Sequence, residues 1–322
     1  MSLPLTSGAA SVPAPRSGGL SAAATPSGAV DNPAGGPHGP ALKDADFERL
    51  REYFYKRTGI QFTPSKRYFV DKRVHQAMAE FSTDDFATYF SALRLGAEQG
   101  LLQKLVNHLT VNETYFMRED YQFDALIRSV LPQVMRDRQV LGITNEPVRI
   151  LSLPSSTGEE PYSIAIRMLE EWPEIARVDV SIAAGDIDTR VLAAARRGEY
   201  NSRSVMRVPA PVLKKYFNAL DGGRYQVIDD LRESVEFNTI NICDVDAMRP
   251  YRRYDVVFCR NLLIYFDEVS CRQAAENIFG ALRPGGFCFL GHSESMSRIS
   301  PIFTPRRMPE GIVYQRPMPG AR

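Results

Sequence analysis

Residues 148–166, VRILSLPSSTGEEPYSIAI, decide the fold of this chain. The apolar start, β-branched at Val148 and Ile150, predicts a buried strand. A turn of small residues ends at Gly158. Pro161 then marks the first turn of a helix, because its missing N–H is not needed there. A strand, a tight turn and a helix in this order predict the opening of a nucleotide-binding α/β unit.

The turn in this stretch lacks the glycine pattern that binds phosphate groups. Gly158 is its only glycine. Glu159 and Glu160 occupy the positions where helix N–H groups would face a pyrophosphate. Two carboxylates repel a phosphate and attract hydroxyl groups or a cation. The stretch therefore argues against NAD or ATP and predicts a cofactor with a ribose, an amine and no phosphate.

Length and composition predict a globular protein with two domains. The chain has 322 residues and a formal net charge of +1, which argues against a nucleic-acid footprint over the whole surface. No apolar stretch approaches the ~20 residues of a membrane helix, and the start lacks the features of a signal peptide. With four histidines and no CxxC pair, we expect no metal site.

Two segments precede residue 111 and differ in composition. Residues 1–40 are mainly proline, glycine, alanine and serine, with hardly a large apolar residue. Such a segment cannot bury enough apolar surface to offset ordering, so we expect a disordered tail. Residues 41–110 carry apolar residues at helical spacing, with Gly59 ending one helix and Pro64 opening the next. We predict a small helical bundle here.

The second predicted helix of this bundle is basic. It carries Lys66, Arg67, Lys72 and Arg73. The charges alone support two interpretations equally: the helix binds an acidic partner helix, or it is a solvated face.

Strands and helices alternate from residue 148 onward. The predicted strands after the first are Val178–Ala184, Val235–Ile242, Asp255–Cys259, Phe287–Leu290 and, at the sheet edge, Ile312–Gln315. Predicted helices include Thr189–Arg197 and Ser270–Leu282, the second stopped by Pro284. This alternation predicts a parallel, doubly wound sheet. Its ligand site is expected beyond the carboxyl ends of the strands.

Polar residues follow several of these strands. Asp186 is placed to accept hydrogen bonds from both ribose hydroxyls, whereas we assign Asp188 to capping the next helix. Asn241 could hold an adenine edge or be an ordinary turn residue, and its position favours neither. Arg260 and Asn261 interrupt the end of an apolar strand, and we favour a functional role for them.

Five motifs occur in order along the chain: NETYFMRE at 112–119, STGEEPYS at 156–163, GDID at 185–188, FCRNLLIYFD at 258–267 and GHSES at 291–295. Together they resemble the CheR family of chemotaxis receptor methyltransferases, over about residues 43–317. The resemblance implies a class I S-adenosylmethionine-dependent methyltransferase fold behind a small all-helical domain. It also implies methyl transfer from S-adenosylmethionine to receptor glutamate side chains, which gives glutamyl methyl esters and S-adenosylhomocysteine.

The resemblance divides the chain as a tail (1–40), a helical receptor-recognition domain (41–110), a linker with a cofactor motif (111–147) and a catalytic domain (148–322). A small β insertion is expected near 217–235. The implied cofactor contacts are Asn112, Thr114, Arg118, Glu160, Asp186, Asn241, Ile242, Arg260 and Asn261. Arg118 and Tyr265 are implied nearest the reacting methyl and the substrate carboxylate. Residue reasoning alone does not choose between Glu159 and Glu160, and the resemblance favours Glu160.

The resemblance also implies partners. We expect a cytoplasmic monomer that acts on the methylation helices of a chemoreceptor, without nucleic acid or membrane insertion. The family's arginine-rich second helix is less basic here, with His75, Gln76, Ala77 and Ala79 in its later turns. The segment 217–227 resembles a shortened form of the insertion that docks a receptor's C-terminal pentapeptide in some members, so we expect no dependence on that peptide. The alternative, a catalytically silent cofactor-binding module, is disfavoured by the intact site residues.

Overall fold

A computed structural model describes residues 41–143, 145–318 and 320. The predicted disordered tail, residues 1–40, lies outside these described residues. None of the helices in the described ranges combines the length and apolar character needed to span a membrane.

Four helices build the N-terminal bundle. They are α1 (Asp44–Thr58), α2 (Arg67–Glu80), α3 (Phe86–Leu95) and α4 (Leu101–Leu109). Their apolar faces share one core that includes the fully buried Phe54 and Tyr89. Gly59 ends α1 in the left-handed conformation, φ 76°, which only glycine adopts at no steric cost. The predicted bundle of helices is therefore confirmed.

The segment 111–147, predicted as a linker, contributes helices to the core of the following domain. These are α5 (Tyr121–Ala125), a π-helical turn (Leu126–Val130) and α6 (Leu131–Val140). Phe123 is fully buried and stacks at 6.1 Å on Phe258 in the central sheet. The segment therefore helps to hold the motif at 112–119 against the sheet.

Ten strands and eight further α-helices, together with short 3₁₀ turns such as Leu263–Tyr265, complete the described chain. The strands are β1 (Val148–Ser152), β2 (Val180–Asp186), β3 (Glu199–Tyr200), β4 (Phe217–Leu220), β5 (Arg224–Val227), β6 (Val235–Thr239), β7 (Tyr254–Cys259), β8 (Leu282–Leu290), β9 (Thr304–Met308) and β10 (Gly311–Gln315). The helices are α7 (Glu159–Glu171), α8 (Thr189–Arg197), α9 (Ser202–Val205), α10 (Ala210–Tyr216), α11 (Asp229–Glu233), α12 (Val245–Met248), α13 (Glu268–Ala281) and α14 (Met296–Ile299).

The main sheet has seven strands in the order β6-β2-β1-β7-β8-β10-β9. The pairs among β6, β2, β1, β7 and β8 are parallel. Alternate residues of β7 point to opposite faces, with Phe258 in the core beneath α7 and Val257 in the core beneath α13. The predicted doubly wound sheet is confirmed, and the carboxyl ends of β1, β2, β6 and β7 meet at one edge.

The edge assignment of the last predicted strand is wrong. The strand over Ile312–Gln315 pairs with β8 on one side and with β9 on the other, so β9 is the edge. The residues of β9, TPRRM, are exposed or nearly so. Its sequence therefore needs no apolar alternation and has none. Pro305 also suits an edge strand, since proline lacks the N–H that an interior ladder needs.

Pro284 does not end a helix, as the sequence suggested. The preceding helix α13 already ends at Ala281, and β8 runs through Pro284 to Leu290 with a register irregularity opposite Tyr254 and Val256. A second, antiparallel sheet has the order β3-β5-β4. Its strand β3 lies before the range 217–235 in which the insertion was expected.

Candidate functional site

Two adjoining cavities, of about 320 and 210 Å³, open at the carboxyl edge of the main sheet. Asn112, Asp186, Asn261 and Tyr265 line both of them. The smaller cavity is further lined by four of the predicted site residues: Thr114, Arg118, Glu160 and Arg260. The larger one adds Asn241 and Ile242. All ten residues predicted from sequence therefore meet in one place, although they come from five separate segments.

The larger cavity is mainly apolar and lies between the helical bundle and the sheet. The bundle contributes Ile60, Phe62 and Phe69, and the sheet edge contributes Ile187 and Ile240. Such a slot suits a flat aromatic ring with limited polar surface. A hydrogen bond connects the bundle to the sheet edge beside this cavity, since Gln103 on α4 donates to the carbonyl of Ile187 at 2.8 Å.

Asp186 lies at the junction of the two cavities. Its carboxylate accepts one backbone N–H per oxygen, from Ser156 at 2.9 Å and from Asp188 at 2.9 Å. Each oxygen keeps a second lone pair for a ligand hydroxyl. Burial raises the pKa of Asp186 to about 6, against the opposing effect of the two backbone donors. Before it, Gly185 packs so closely on Leu153 and Ile240 that a side chain would clash.

Asp188 is confirmed as the N-cap of α8. It accepts from the backbone N–H of Arg190 at 2.8 Å and of Val191 at 3.4 Å. Its other oxygen accepts from Asn112 Nδ2 at 3.0 Å and from Thr110 Oγ1 at 2.6 Å. The cap therefore also fixes Asn112 at the cavity wall, a link that the sequence spacing did not predict.

Glu160 and Glu159, which residue reasoning did not separate, have different positions. Glu160 lines the smaller cavity and accepts from Ser152 Oγ at 2.7 Å and Arg260 Nη1 at 3.0 Å. Burial raises the pKa of Glu160, and Arg260 opposes the rise. Glu159 is buried against Thr157, which donates to it at 2.6 Å. Only Glu160 faces the cavity.

Arg260, predicted as a cofactor contact, also connects two motifs of the site. Its guanidinium is buried and pairs with Glu160 and, at 3.4 Å, with Glu119, while Nη2 donates to the carbonyl of Arg118 at 2.6 Å. These contacts give it a structural role in aligning two motifs. Its Nε is buried and has no hydrogen-bond partner among the described residues, and the same holds for Ser156 Oγ. Both residues line the smaller cavity, so these donors fit a bound carboxylate there.

The side chain of Asn241 makes the contacts of a turn residue, which was one of the two interpretations given for this position. Its Oδ1 accepts from the N–H of Cys243 at 3.0 Å, and its Nδ2 donates to the carbonyl of Arg57 at the end of α1. The amide is therefore occupied within the protein. Asn241 and Ile242 still line the larger cavity, where their backbone and the Ile242 side chain are available to a ligand.

Glu294 belongs to the GHSES motif, and no sequence pattern predicts a role for it. Its carboxylate accepts three backbone N–H groups, from Asn261 at 2.9 Å, Leu263 at 2.7 Å and Gly291 at 2.7 Å. Asn261 has φ 59°, a left-handed conformation that costs free energy for a residue with a side chain. Glu294 thus holds the loop after β7 in a strained shape. The position of GHSES directly after a predicted strand was the signal available for it.

Strained backbone is concentrated around the smaller cavity. Four non-glycine residues with positive φ lie in the motifs that build it: Met117, Glu119, Ser156 and Asn261. Such strain persists only where the surrounding structure fixes it, and it is common at functional sites. Here it shapes the loops that present Arg118, Asp186 and Arg260.

Arg118 and Tyr265 line the smaller cavity, and neither side chain is buried. Arg118 Nη1 donates to the carbonyl of Glu113 at 2.8 Å, and its guanidinium lies 5.8 Å from the centre of the Tyr115 ring. Tyr265 is 36 % exposed. Burial raises the pKa of Tyr265, partly offset by Arg118, so its hydroxyl stays protonated and can donate a hydrogen bond.

Comparison with known proteins agrees with this geometry. The family pattern described as "CheR methyltransferase, SAM binding domain" matches residues 112–312, and "CheR methyltransferase, all-alpha domain" matches residues 45–110. Chemotaxis protein methyltransferase 2 of Vibrio cholerae is 47% identical over 279 residues, covering 87% of this chain and 95% of that protein. Chemotaxis protein methyltransferase 2 of Pseudomonas aeruginosa is 38% identical, covering 79% and 88%. The chemotaxis protein methyltransferase of Salmonella typhimurium is 34% identical, covering 83% and 89%.

The fold and the cavity together define a class I methyltransferase whose cofactor is S-adenosylmethionine. The chain belongs to the CheR methyltransferase family and acts in S-adenosylmethionine-dependent methylation in chemotaxis. The residues present fit this cofactor. The apolar slot suits adenine, Asp186 suits the ribose hydroxyls, and the buried free donors of Arg260 and Ser156 suit a carboxylate.

Proposed function

We propose that this protein is a cytoplasmic protein-glutamate O-methyltransferase that converts glutamate side chains of chemoreceptors into glutamyl methyl esters. The observation that carries the proposal is that Arg118 and Tyr265, neither of them buried, line the smaller cavity together with the residues suited to the cofactor. An incoming carboxylate meets a cation and a hydroxyl donor there. The names of the relatives, chemotaxis protein methyltransferases, support a target in the chemotaxis apparatus.

The proposed chemistry needs little from acid–base groups. A glutamate carboxylate is ionised at neutral pH, with a reference pKa of about 4.3, and is already a nucleophile. S-adenosylmethionine supplies an activated methyl group. What the chain must do is hold the reacting atoms in line, at about 3 Å, and keep water out.

We propose that Arg118 orients the carboxylates and does not form a tight ion pair with the attacking oxygen. Opposite charges are neutralised as the methyl group is transferred, so a tight ion pair on the nucleophile would slow the reaction. The hydrogen bond from Arg118 Nη1 to the Glu113 carbonyl already engages part of its guanidinium, which leaves fewer donors for a tight ion pair. Tyr265 is proposed to donate a hydrogen bond to the carboxylate oxygen that does not attack.

The direct test uses labelled S-adenosylmethionine and the cytoplasmic fragment of a chemoreceptor from the same organism. We expect label on glutamate side chains by mass spectrometry and its release as methanol in mild base, as for an ester. A fragment with the labelled glutamates changed to glutamine is the control. Cofactor binding without transfer to any receptor fragment would instead support the silent module.

Arg118→Ala tests the catalytic assignment. We expect kcat to fall by about a hundredfold, because an orienting group is lost from the reacting centre. Arg128→Ala removes a 64 % exposed arginine on the same segment, outside the two cavities, and is the matched control. Turnover of Arg118→Ala equal to that of Arg128→Ala would contradict the role of Arg118.

The structure leaves fewer basic residues of the second helix available for the proposed receptor contact than the sequence indicated. Arg67 is engaged within the bundle, by Asp44, by Asp71 at 3.6 Å and by the carbonyl of Leu42. Lys66, Lys72 and Arg73 remain candidates for an acidic partner. We also keep the proposals of a monomer and of independence from a receptor pentapeptide, which sedimentation and calorimetry with the peptide would test.

A further inference from the structure

A second basic surface lies beside the smaller cavity, on the catalytic domain itself. It consists of Arg203, Met206 and Arg207, and we call it the 203–207 surface. All three residues are exposed, Met206 by 64 %. The guanidinium of Arg207 lies 5.0 Å from the centre of the Tyr115 ring, which lines the smaller cavity.

The 203–207 surface is rigidly attached to the catalytic motif. The N–H of Phe116 donates to the carbonyl of Ser204 at 2.9 Å, and Val205 and Val208 are buried in the domain core. Phe116 packs edge-on against Tyr200 at 4.8 Å. The backbone that carries Arg207 therefore keeps a fixed position relative to Arg118, two residues along the chain from Phe116.

Arg203 and Arg207 differ in whether a carboxylate of the described residues neutralises their charge. Arg203 pairs with Glu113 at 3.6 Å. Arg207, by contrast, has no carboxylate within ion-pair distance among the residues that the structure describes, and its guanidinium lies against the Tyr115 ring. Arg118 lies 5.8 Å from the centre of that same ring. Two cations thus flank Tyr115, one toward the cavity and one outside it.

We propose that Arg207 binds an acidic side chain three or four positions from the target glutamate on the same substrate helix. This inference rests on the proposed function. On a helix, residues three or four apart share one face with Cβ atoms about 5–6 Å apart. A helix that presents its target carboxylate to Arg118 would therefore place a neighbouring side chain near Tyr115 and Arg207. The surface would thus select among the glutamates of a receptor.

The test measures methylation of a receptor cytoplasmic fragment by full-length Arg207→Gln and Arg207→Glu. We expect KM for the fragment to rise about two- to fivefold for Arg207→Gln, the range of an exposed ion pair, and further for Arg207→Glu because attraction becomes repulsion. The kcat and the affinity for S-adenosylhomocysteine should not change. High salt should reduce the difference from wild type.

Arg249→Glu provides the matched control, since Arg249 is also exposed and lies outside both cavities. The complementary change is on the substrate, where acidic residues three or four positions from the target become glutamine. With this fragment as substrate, the KM of the wild type should rise by the same two- to fivefold factor. The KM of Arg207→Gln should not change.

The outcomes separate the two proposals. If wild-type protein methylates no receptor glutamate, the proposed function fails. The proposed role of the 203–207 surface fails separately, when the wild type does methylate the receptor. It fails if Arg207→Glu has the same KM as Arg249→Glu. It also fails if the substrate change raises KM equally for the wild type and for Arg207→Gln.

Discussion

Two buried clusters of arginine and carboxylate lie at opposite ends of the main sheet. At the carboxyl end, Arg260 pairs with Glu160 and Glu119. At the amino end, Asp255 pairs with Arg138 at 3.0 Å and with Arg283 at 3.0 Å. Both arginines that sit deepest, Arg260 and Arg138, have side chains no more than 4% exposed. The two clusters are therefore alike in residue type and in the burial of these arginines.

The two clusters differ in what their carboxylates face. Asp255 is 1% exposed and also accepts from the N–H of Arg149 at 2.8 Å, so its oxygens are fully used within the protein. Glu160 is 13% exposed and lines the smaller cavity. Burial raises the pKa of both carboxyls. A raised pKa therefore does not distinguish a ligand site from a structural ion pair. The space in front of each carboxylate does, since Glu160 lines a cavity of about 210 Å³, whereas the hollow that Asp255 lines is only about 10 Å³.

The largest predicted effect is a loss of stability when the cluster around Asp255 is broken. Asp255→Ala leaves Arg138 buried without its carboxylate partner and leaves Arg283 with Glu146, at 3.3 Å, in place of two carboxylates. This change should lower the free energy of unfolding by about 3–5 kcal/mol. Denaturant unfolding measures the change. Asp229→Ala breaks an exposed pair with Arg232 and should have little effect. A loss from Asp255→Ala as small as that from Asp229→Ala would mean that this cluster does not stabilise the fold.

The next effect is on cofactor affinity at the carboxyl end. Asp186→Ala should weaken binding of S-adenosylhomocysteine by roughly 1.5–3 kcal/mol, about ten- to a hundredfold, because a charged acceptor is lost. Calorimetry gives the value. Asp244 also accepts two backbone N–H groups after a strand of the sheet, but lies outside both cavities. Equal affinities for Asp186→Ala and Asp244→Ala would refute the assignment of Asp186 to the ribose.

A smaller effect is expected from pH. Ribose hydroxyls favour the ionised form of Asp186, whose pKa in the free protein is about 6. Affinity for S-adenosylhomocysteine should therefore fall about tenfold from pH 7 to pH 5, as this carboxylate takes up a proton. Without ligand the sign is reversed: the raised pKa makes Asp186 cost stability as pH rises through about 6.

Asp186→Asn cannot titrate at this position and should flatten the pH profile. Glu160→Gln serves as the comparison, because burial also raises the pKa of Glu160. If Glu160→Gln alone flattens the profile, the proton is taken up at Glu160 and not at Asp186.

The smallest predicted effect concerns Glu294. Glu294→Gln replaces one acceptor oxygen by an NH₂ group and removes one of three hydrogen bonds to the loop after β7, so cofactor affinity should fall about fivefold. Asp267→Asn is the control, since Asp267 caps α13 just beyond the same loop through the N–H of Ser270. Affinity unchanged in both variants would show that the loop keeps its shape without Glu294.

Sequence reasoning succeeded where one local pattern determines the outcome. The helix Thr189–Arg197, with its cap at Asp188 and its end at Gly198, is observed as predicted, because capping depends on neighbouring residues. Strand β9 was missed, since its exposed residues carry no apolar alternation, and this omission placed β10 at the edge. The resemblance to a family brought Asn112, Thr114 and Arg118 into the site, whereas local patterns would have passed over them.

The sequence by itself determined the alternation of strands and helices, the acidic turn unsuited to phosphate and the residues that end each strand. These follow from periodicity and from the position of each residue relative to its neighbours. Only the tertiary structure decided that Arg260 holds Glu160, that Glu294 holds Asn261 and that Asn241 is occupied by α1. Those partners are between 33 and 184 positions apart along the chain, so no local pattern encodes their contact, and packing of the sheet against its loops and helices brings them together.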